Sequence, residues 1–239
     1  MFEIRDEAER AEVYLYGRIG KDLWGEGNSA TGFIEQLQAL SPKPLDVHID
    51  SGGGDVFEGF AICSAIQRYE GATTAYVDGM AASAASYIAA MCDEVRMNDF
   101  AFLMIHNASA MATGNAEELE RTVALLRNID DTLAKVYVAR SGMDEGEVRD
   151  AMAAETWYTA AEALERGLCQ EVIATEARMA ACVDEETAAG YRNIPQAVSV
   201  RASYDPGASY IAPILDGKGG DAAAGYMALD GKLLRKDAR

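Results

Sequence analysis

Residues 45–194 contain no proline; all five prolines, Pro42, Pro44, Pro195, Pro206 and Pro213, lie outside that stretch. Proline breaks helix interiors and is confined to sheet edges, so so long a stretch without it fits an unbroken succession of helices and strands. A chain of 239 residues is long enough for one sizeable α/β domain with an appendage and too short for two comfortable ones. After about residue 194, glycine, proline and alanine dominate, as in Pro206-Gly207, Gly217 to Gly220 and Ala222 to Gly225. Such a composition builds little core, so residues 1–194 are expected to form the folded domain and 195–239 a flexible or partner-ordered tail.

Within the proline-free region the pattern alternates. Glu12–Gly17 reads as a strand and Ser29–Leu40 as a helix, with Phe33, Leu37 and Leu40 on one side. Leu45–Ile49 is a short strand running into the glycines Gly52, Gly53 and Gly54. Asp55 suits an N-cap, with Glu58 three residues on as a capping-box partner. The helix that follows carries Ile62, Ile66 and Tyr69 on one face and stops by Gly71. A strand at Thr73–Val77, a turn at Gly79 and a helix of small residues over Ala81–Cys92 come next, then strands near 94–97 and 101–105. A long helix spans about 115–140, with Leu119, Val123, Leu126, Leu133 and Val136 near helical spacing and Gly142 as its stop. A last helix begins at Thr159 with Glu162 as its capping-box partner and ends near Gly167. This alternation predicts an α/β fold with a largely parallel sheet.

The formal net charge is −18. A surface so acidic repels phosphate backbones and anionic lipid, so nucleic acid and membrane are not expected partners. Cys63, Cys92, Cys169 and Cys182 form no CxxC pair and sit mostly among apolar neighbours, which reads as reduced, packed thiols. The charged N-terminus, MFEIRDEAER, shows no secretory h-region, and no run approaches the ~20 apolar residues a membrane span needs. These features predict an intracellular, cytoplasmic protein.

Only two histidines are present, His48 and His106. Imidazole is the usual base for a hydroxyl nucleophile near neutral pH, so the choice of base is already narrow. His48 lies inside a short apolar strand and reads as a structural histidine. His106 ends the apolar run Phe102–Ile105, where a buried strand emerges and can face a cleft. The segment Gly79–Ser86, GMAASAAS, joins strand to helix through small side chains. There a serine near the positive end of a helix dipole could stabilise an oxyanion, although the same composition would also suit a tight helix–helix contact. Glycines at 52–54 can free a backbone N–H to face the cleft. Neither a GxSxG elbow nor a phosphate-binding glycine pattern occurs.

Taken in order, these segments resemble the ClpP family, the proteolytic subunit of the Clp protease, over roughly Asp46 to Val172. HIDSGGGDVFEGFAI is similar to its strand and "NSPGG" loop, GMAASAAS to its "GxAAS" nucleophile turn and LMIHN to its "MIHxP" segment. MAAETWYTAAEALERGL is similar to its acid segment. The resemblance implies Ser83 as nucleophile, His106 as base, and Gly54 and Ala84 as oxyanion-hole N–H donors, with Gly53 and Gly54 binding the substrate strand. Ser86 is the rejected alternative nucleophile. Three positions depart from the family pattern: Gly52 and Ala108 replace prolines, and Glu155 stands at the aspartate of the triad, with Asp150 as the other candidate acid. The implied fold is the ClpP/crotonase-like α/β fold of repeated β-β-α and βα units with a protruding long helix.

The flavour of the motifs ("SGGGDVFEG", "AASAAS", "ETWYTAAEA") most resembles the ClpP-related head maturation proteases of tailed bacteriophages. The implied enzyme is a serine endopeptidase acting in phage capsid assembly, without metal or organic cofactor. It would assemble as a ring-shaped homo-oligomer, in the host cytoplasm or procapsid interior. Its substrate would be a polypeptide, a scaffold or capsid precursor or its own tail. Two other enzymes compete with it: a degradative subunit fed by an ATPase unfoldase, and a crotonase-like acyl-CoA enzyme, which the Ser–His pair disfavours. A non-catalytic ring component is a third.

Overall fold

A computed structural model describes residues 3–6, 9–21, 27–38, 40, 43–174, 182–184, 190–195 and 199–201. The strands are β1 (Glu3–Asp6), β2 (Ala11–Tyr16), β3 (Gly20–Lys21), β4 (Gly27–Asn28), β5 (Leu45–Ser51), β6 (Thr73–Ala82), β7 (Glu94–Asn98), β8 (Phe102–Ile105), β9 (Thr156–Thr159), β10 (Glu171–Ile173), β11 (Cys182–Asp184) and β12 (Ser199–Arg201). The helices are α1 (Ala30–Gln38), α2 (Val56–Gln67), α3 (Ala84–Ala90), α4 (Ala116–Ser141), α5 (Glu145–Ala154) and α6 (Ala160–Glu165).

Eight strands form one mixed sheet, ordered β1-β2-β5-β6-β7-β10, with β8 pairing β6 and β9 pairing β8. From β2 to β10 the path is parallel, whereas β1 and β9 join antiparallel. β6 is long enough to serve two neighbours: Thr74–Val77 pair with β7 and Met80–Ala82 pair with β8. The expected turn at Gly79 is therefore absent, because β6 runs straight through it and the helix begins only at Ala84. A glycine inside a strand often marks a close approach, and here a Cβ on Gly79 would lie 2.8 Å from the Asp50 carboxylate.

One face of the sheet holds the main core. Val13, Leu15, Val47, Ile49, Ala75, Val77, Val95 and Met97 pack with Phe33 of α1, Ile62 and Ile66 of α2, and Ile88 of α3. α2 is capped as the sequence predicts, Asp55 accepting from the Phe57 and Glu58 N–H groups. The box does not close, because the Glu58 carboxylate accepts instead from the Ala30 N–H at the start of α1. The capping box at Thr159 and Glu162 is complete.

α4 starts from an Asn115–Glu118 capping box and ends at Gly142 in the left-handed conformation. Its buried residues, Ile129, Leu133, Ala134 and Tyr137, lie only in the second half. Leu119 and Val123, at helical spacing in the sequence, are exposed in this chain, so the first half projects from the domain. Arg140 anchors the other end, its guanidinium donating to the carbonyls of Ala90, Cys92 and Asp93 just past α3. Cys63, Cys92 and Cys169 are free and buried, while the Cys182 side chain falls outside the described residues. Within the expected tail, residues 199–201 form β12 and pair in parallel with β11; residues 202–239 lie outside the described residues. No helix among the described residues is long and apolar enough to cross a membrane.

Candidate active site

Strand register brings the singled-out residues to one place. Ala82 pairs with Met104, so Ser83 and His106 emerge side by side where β6 and β8 end. Thr156 pairs with Ile105 across the antiparallel β8–β9 ladder, so Glu155 and His106 are the next residues in register. On the other side of β6, Ser51 pairs with Ala81, and the glycines that follow β5 arrive against Ser83. Four sequence-distant segments thus converge at the carboxyl ends of parallel strands, where open α/β sheets place their sites.

Ser83 is the N-cap residue of α3, not a residue of its first turn as the sequence suggested. An N-cap serine ordinarily turns its hydroxyl onto the helix N–H groups. Here no such bond forms, and the Oγ lies 2.8 Å from His106 Nε2. The backbone is strained at this point, with φ 54 and ψ −119, and is held by the Ser83 N–H donating to the Met104 carbonyl. Among the described residues only Ser83 and Glu155 combine a side chain with positive φ. Strained backbone of this kind concentrates at functional sites. Ser86 is excluded as the nucleophile: fully buried, its hydroxyl donates to the Ser83 carbonyl and meets Tyr137 Oη at 2.7 Å.

The glycine loop approaches the serine as closely as backbone permits. A Cβ on Gly53 would lie 2.7 Å from the Ala82 carbonyl and 2.7 Å from Ser83 Cβ, at a φ of +88. Gly54 bridges Ile19, using the Gly53 carbonyl and the Asp55 N–H, which leaves the Gly54 N–H outside that pairing. Ala84 opens α3, where an N–H has no intrahelical acceptor.

His106 is half-buried. Burial lowers its pKa and Arg192 adds to the lowering; the Glu155 charge acts in the opposite sense, and the net shift is downward. A lowered pKa keeps the imidazole neutral, the form able to accept a proton at neutral pH. Glu155 caps α5 in the left-handed conformation and is almost fully buried. Its Oε1 accepts from the Arg192 and Asn193 N–H groups, each at 2.7 Å. Among the described residues it makes no hydrogen bond to the His106 ring, which it influences through space. Asp150 is exposed on α5 and lines a separate cleft with Asn107, Asp130 and Arg149.

Sequence reasoning missed the segment 190–195. Tyr191 packs its ring at a steep angle to both His106 and Trp157, centroids 5.6 Å away in each case, and donates its hydroxyl to the Gly52 carbonyl. Its signal was faint, a tyrosine and an isoleucine just before Pro195 at the composition boundary. His48 stands apart from this site, within β5 and stacked between Tyr14 and Tyr76.

A strained serine bonded to an imidazole, facing a glycine loop, defines the class of serine hydrolases. The Clp protease family pattern matches residues 11–176. The chain is 32% identical over 156 residues to the ATP-dependent Clp protease proteolytic subunit 1 of Protochlamydia amoebophila, covering 62% of this chain and 76% of that protein. Its fold is similar to that of a ClpP1 mutant from Listeria monocytogenes, with a TM-score of 0.60 and 21% identity, over 69% of this chain and 92% of the other. The chain belongs to the Clp protease family, whose members are serine peptidases.

Proposed function

We propose that this chain hydrolyses peptide bonds through an acyl-enzyme formed on Ser83. The observation that carries the reading is the 2.8 Å contact between Ser83 Oγ and His106 Nε2 at a strained turn. The neutral imidazole takes the hydroxyl proton as Oγ attacks the scissile carbonyl. The N–H groups of Gly54 and Ala84 receive the oxyanion, each donor of this kind being worth about 10²–10³ in rate. His106 then protonates the departing amine, and water repeats the sequence to release the acid and restore Ser83. Gly53 and Gly54 present backbone to an extended substrate. Glu155, next to His106 in the ladder, is the acid positioned to orient the ring and balance the imidazolium once it bonds the second ring nitrogen; its exposed neighbour Asp150 is poorly placed for that role.

For the biological role we favour maturation of a phage head. The support is the wording of three motifs, Ser51–Gly59, Ala81–Ser86 and Glu155–Ala163. The substrate is then a scaffold or capsid precursor or the chain's own tail, met in the host cytoplasm or procapsid interior by a ring-shaped homo-oligomer. A degradative subunit fed by an ATPase unfoldase is the second reading, favoured by the ATP-dependent relative from Protochlamydia amoebophila. Mass spectrometry of purified wild type against Ser83→Ala, alone and with a capsid precursor, tests both. Serine-dependent cleavage without ATP or a partner supports head maturation, whereas cleavage of folded protein only beside an ATPase supports the degradative role. Peptide hydrolysis undiminished in Ser83→Ala would remove Ser83 from the mechanism.

A further inference from the structure

We propose that residues 190–195 are an intrinsic strap that lies in the substrate cleft and holds Glu155 away from His106, so that the described conformation is a resting form. The inference rests on the peptidase reading above and adds a regulatory element to it. Three sets of contacts carry it.

Tyr191 first: its hydroxyl donates to the Gly52 carbonyl, on the glycine loop where a substrate strand would pair, and its ring packs against the His106 ring in a T-shaped contact. Ile194 is the second: it and Tyr191 pack on Met80, Ala82, Phe102, Met104 and Trp157, a small apolar cluster separate from the main core, whose β6 and β8 members lie just before Ser83 and His106. A peptide bound through bulky apolar side chains would need the same surface.

The third set concerns the acid. Glu155 Oε1 accepts the Arg192 and Asn193 N–H groups at 2.7 Å each, the Arg192 guanidinium lies 3.7 Å from Oε2, and Asn193 Nδ2 donates to the Ala154 carbonyl beside it. With Oε1 held by two amides and Oε2 beside the guanidinium, the carboxylate is engaged by the segment and makes no hydrogen bond to the imidazole, although the β8–β9 register sets the two residues next to each other. When the strap leaves, the buried carboxylate loses both donors, and the neighbouring ring nitrogen of His106 becomes its available partner. Departure thereby opens the cleft and completes the triad in one movement.

The test measures covalent capture of Ser83 by a peptidyl phosphonate in the full chain, comparing wild type with Tyr191→Ala. The strap predicts capture about tenfold faster in Tyr191→Ala, the effect of removing roughly one hydrogen bond and its packing from the resting form. Capture at an unchanged or slower rate, in a variant whose thermal unfolding shows it folded, overturns the strap and makes 190–195 a fixed wall of the site. Hydrogen exchange on wild type decides the matter even if that variant does not fold. Amides in 190–195 should lose protection once the phosphonate occupies the cleft, and protection unchanged by capture overturns the proposal. Capture that persists in Ser83→Ala is a different result, which sinks the peptidase reading and the strap together.

Discussion

The two histidines of this chain stand at different places on one sheet, His48 within a strand and His106 just past the end of one, and have been given opposite chemistry. His48 sits mid-strand on β5, its ring stacked between Tyr14 and Tyr76 at 4.7 and 5.0 Å and its Nδ1 2.9 Å from Asp78 Oδ2. Burial alone would lower its pKa, but the hydrogen bond and charge of Asp78 outweigh that, and the net shift is upward. His106 sits past the end of β8 with a hydroxyl as its near partner, and burial leaves it with a lowered pKa. A carboxylate in direct contact favours the charged imidazole, whereas burial that outweighs the nearby carboxylate charge favours the neutral acceptor. Placement relative to strand ends decides which of the two a histidine becomes.

The sharpest way to break this contrast is to exchange the losses. His106→Ala should lower peptide hydrolysis by at least about 10³-fold while His48→Ala leaves the turnover rate intact, measured with a fluorogenic peptide. Equal losses would erase the distinction. On the His106 side, Gly53→Ala must push the glycine loop off Ala82 and Ser83, and a displacement near 1 Å lowers kcat/KM by about 10²-fold. The pH profile sharpens the contrast further. His106 must be neutral to accept the Ser83 proton, so its lowered pKa places the acid limb of kcat/KM below the ordinary histidine value of about 6.5.

His48 gives the complementary signature in stability. Its folded-state pKa is raised, so its contribution is full below the unfolded value and fades as pH rises through the folded value. Denaturant titrations should therefore separate wild type from His48→Gln more widely near pH 5.5 than near pH 8.5. The smallest effect belongs to Ser86→Ala, which leaves Tyr137 Oη without its hydroxyl partner. It should destabilise by about 1–3 kcal/mol without preventing capture of Ser83.

Much of this was legible before any coordinates. The strand–helix alternation and the Asp55 and Thr159 caps follow from residues whose local chemistry agrees with their tertiary setting, whereas the pairing of Ser83 with His106 is implied only by the family resemblance. Other features needed the register. Gly79 reads as a turn in one dimension, because a strand that serves two neighbours in succession leaves no local trace. The apolar stripe at Leu119 and Val123 has the right period for burial, yet period does not say whether anything stands opposite. The acid is the hardest case. Glu155 was found by position in a motif, but its partners, the amides of Arg192 and Asn193, lie 37 and 38 residues away in a segment with no apolar period of its own.

Where a fluorophosphonate attaches is the measurement that meets the central claim head on. Peptide mapping of the labelled chain should find the adduct on Ser83 in wild type and in His48→Ala, with almost none in His106→Ala. An adduct on another serine, or undiminished attachment to Ser83 once His106 is gone, would contradict an imidazole-activated nucleophile at the end of β6.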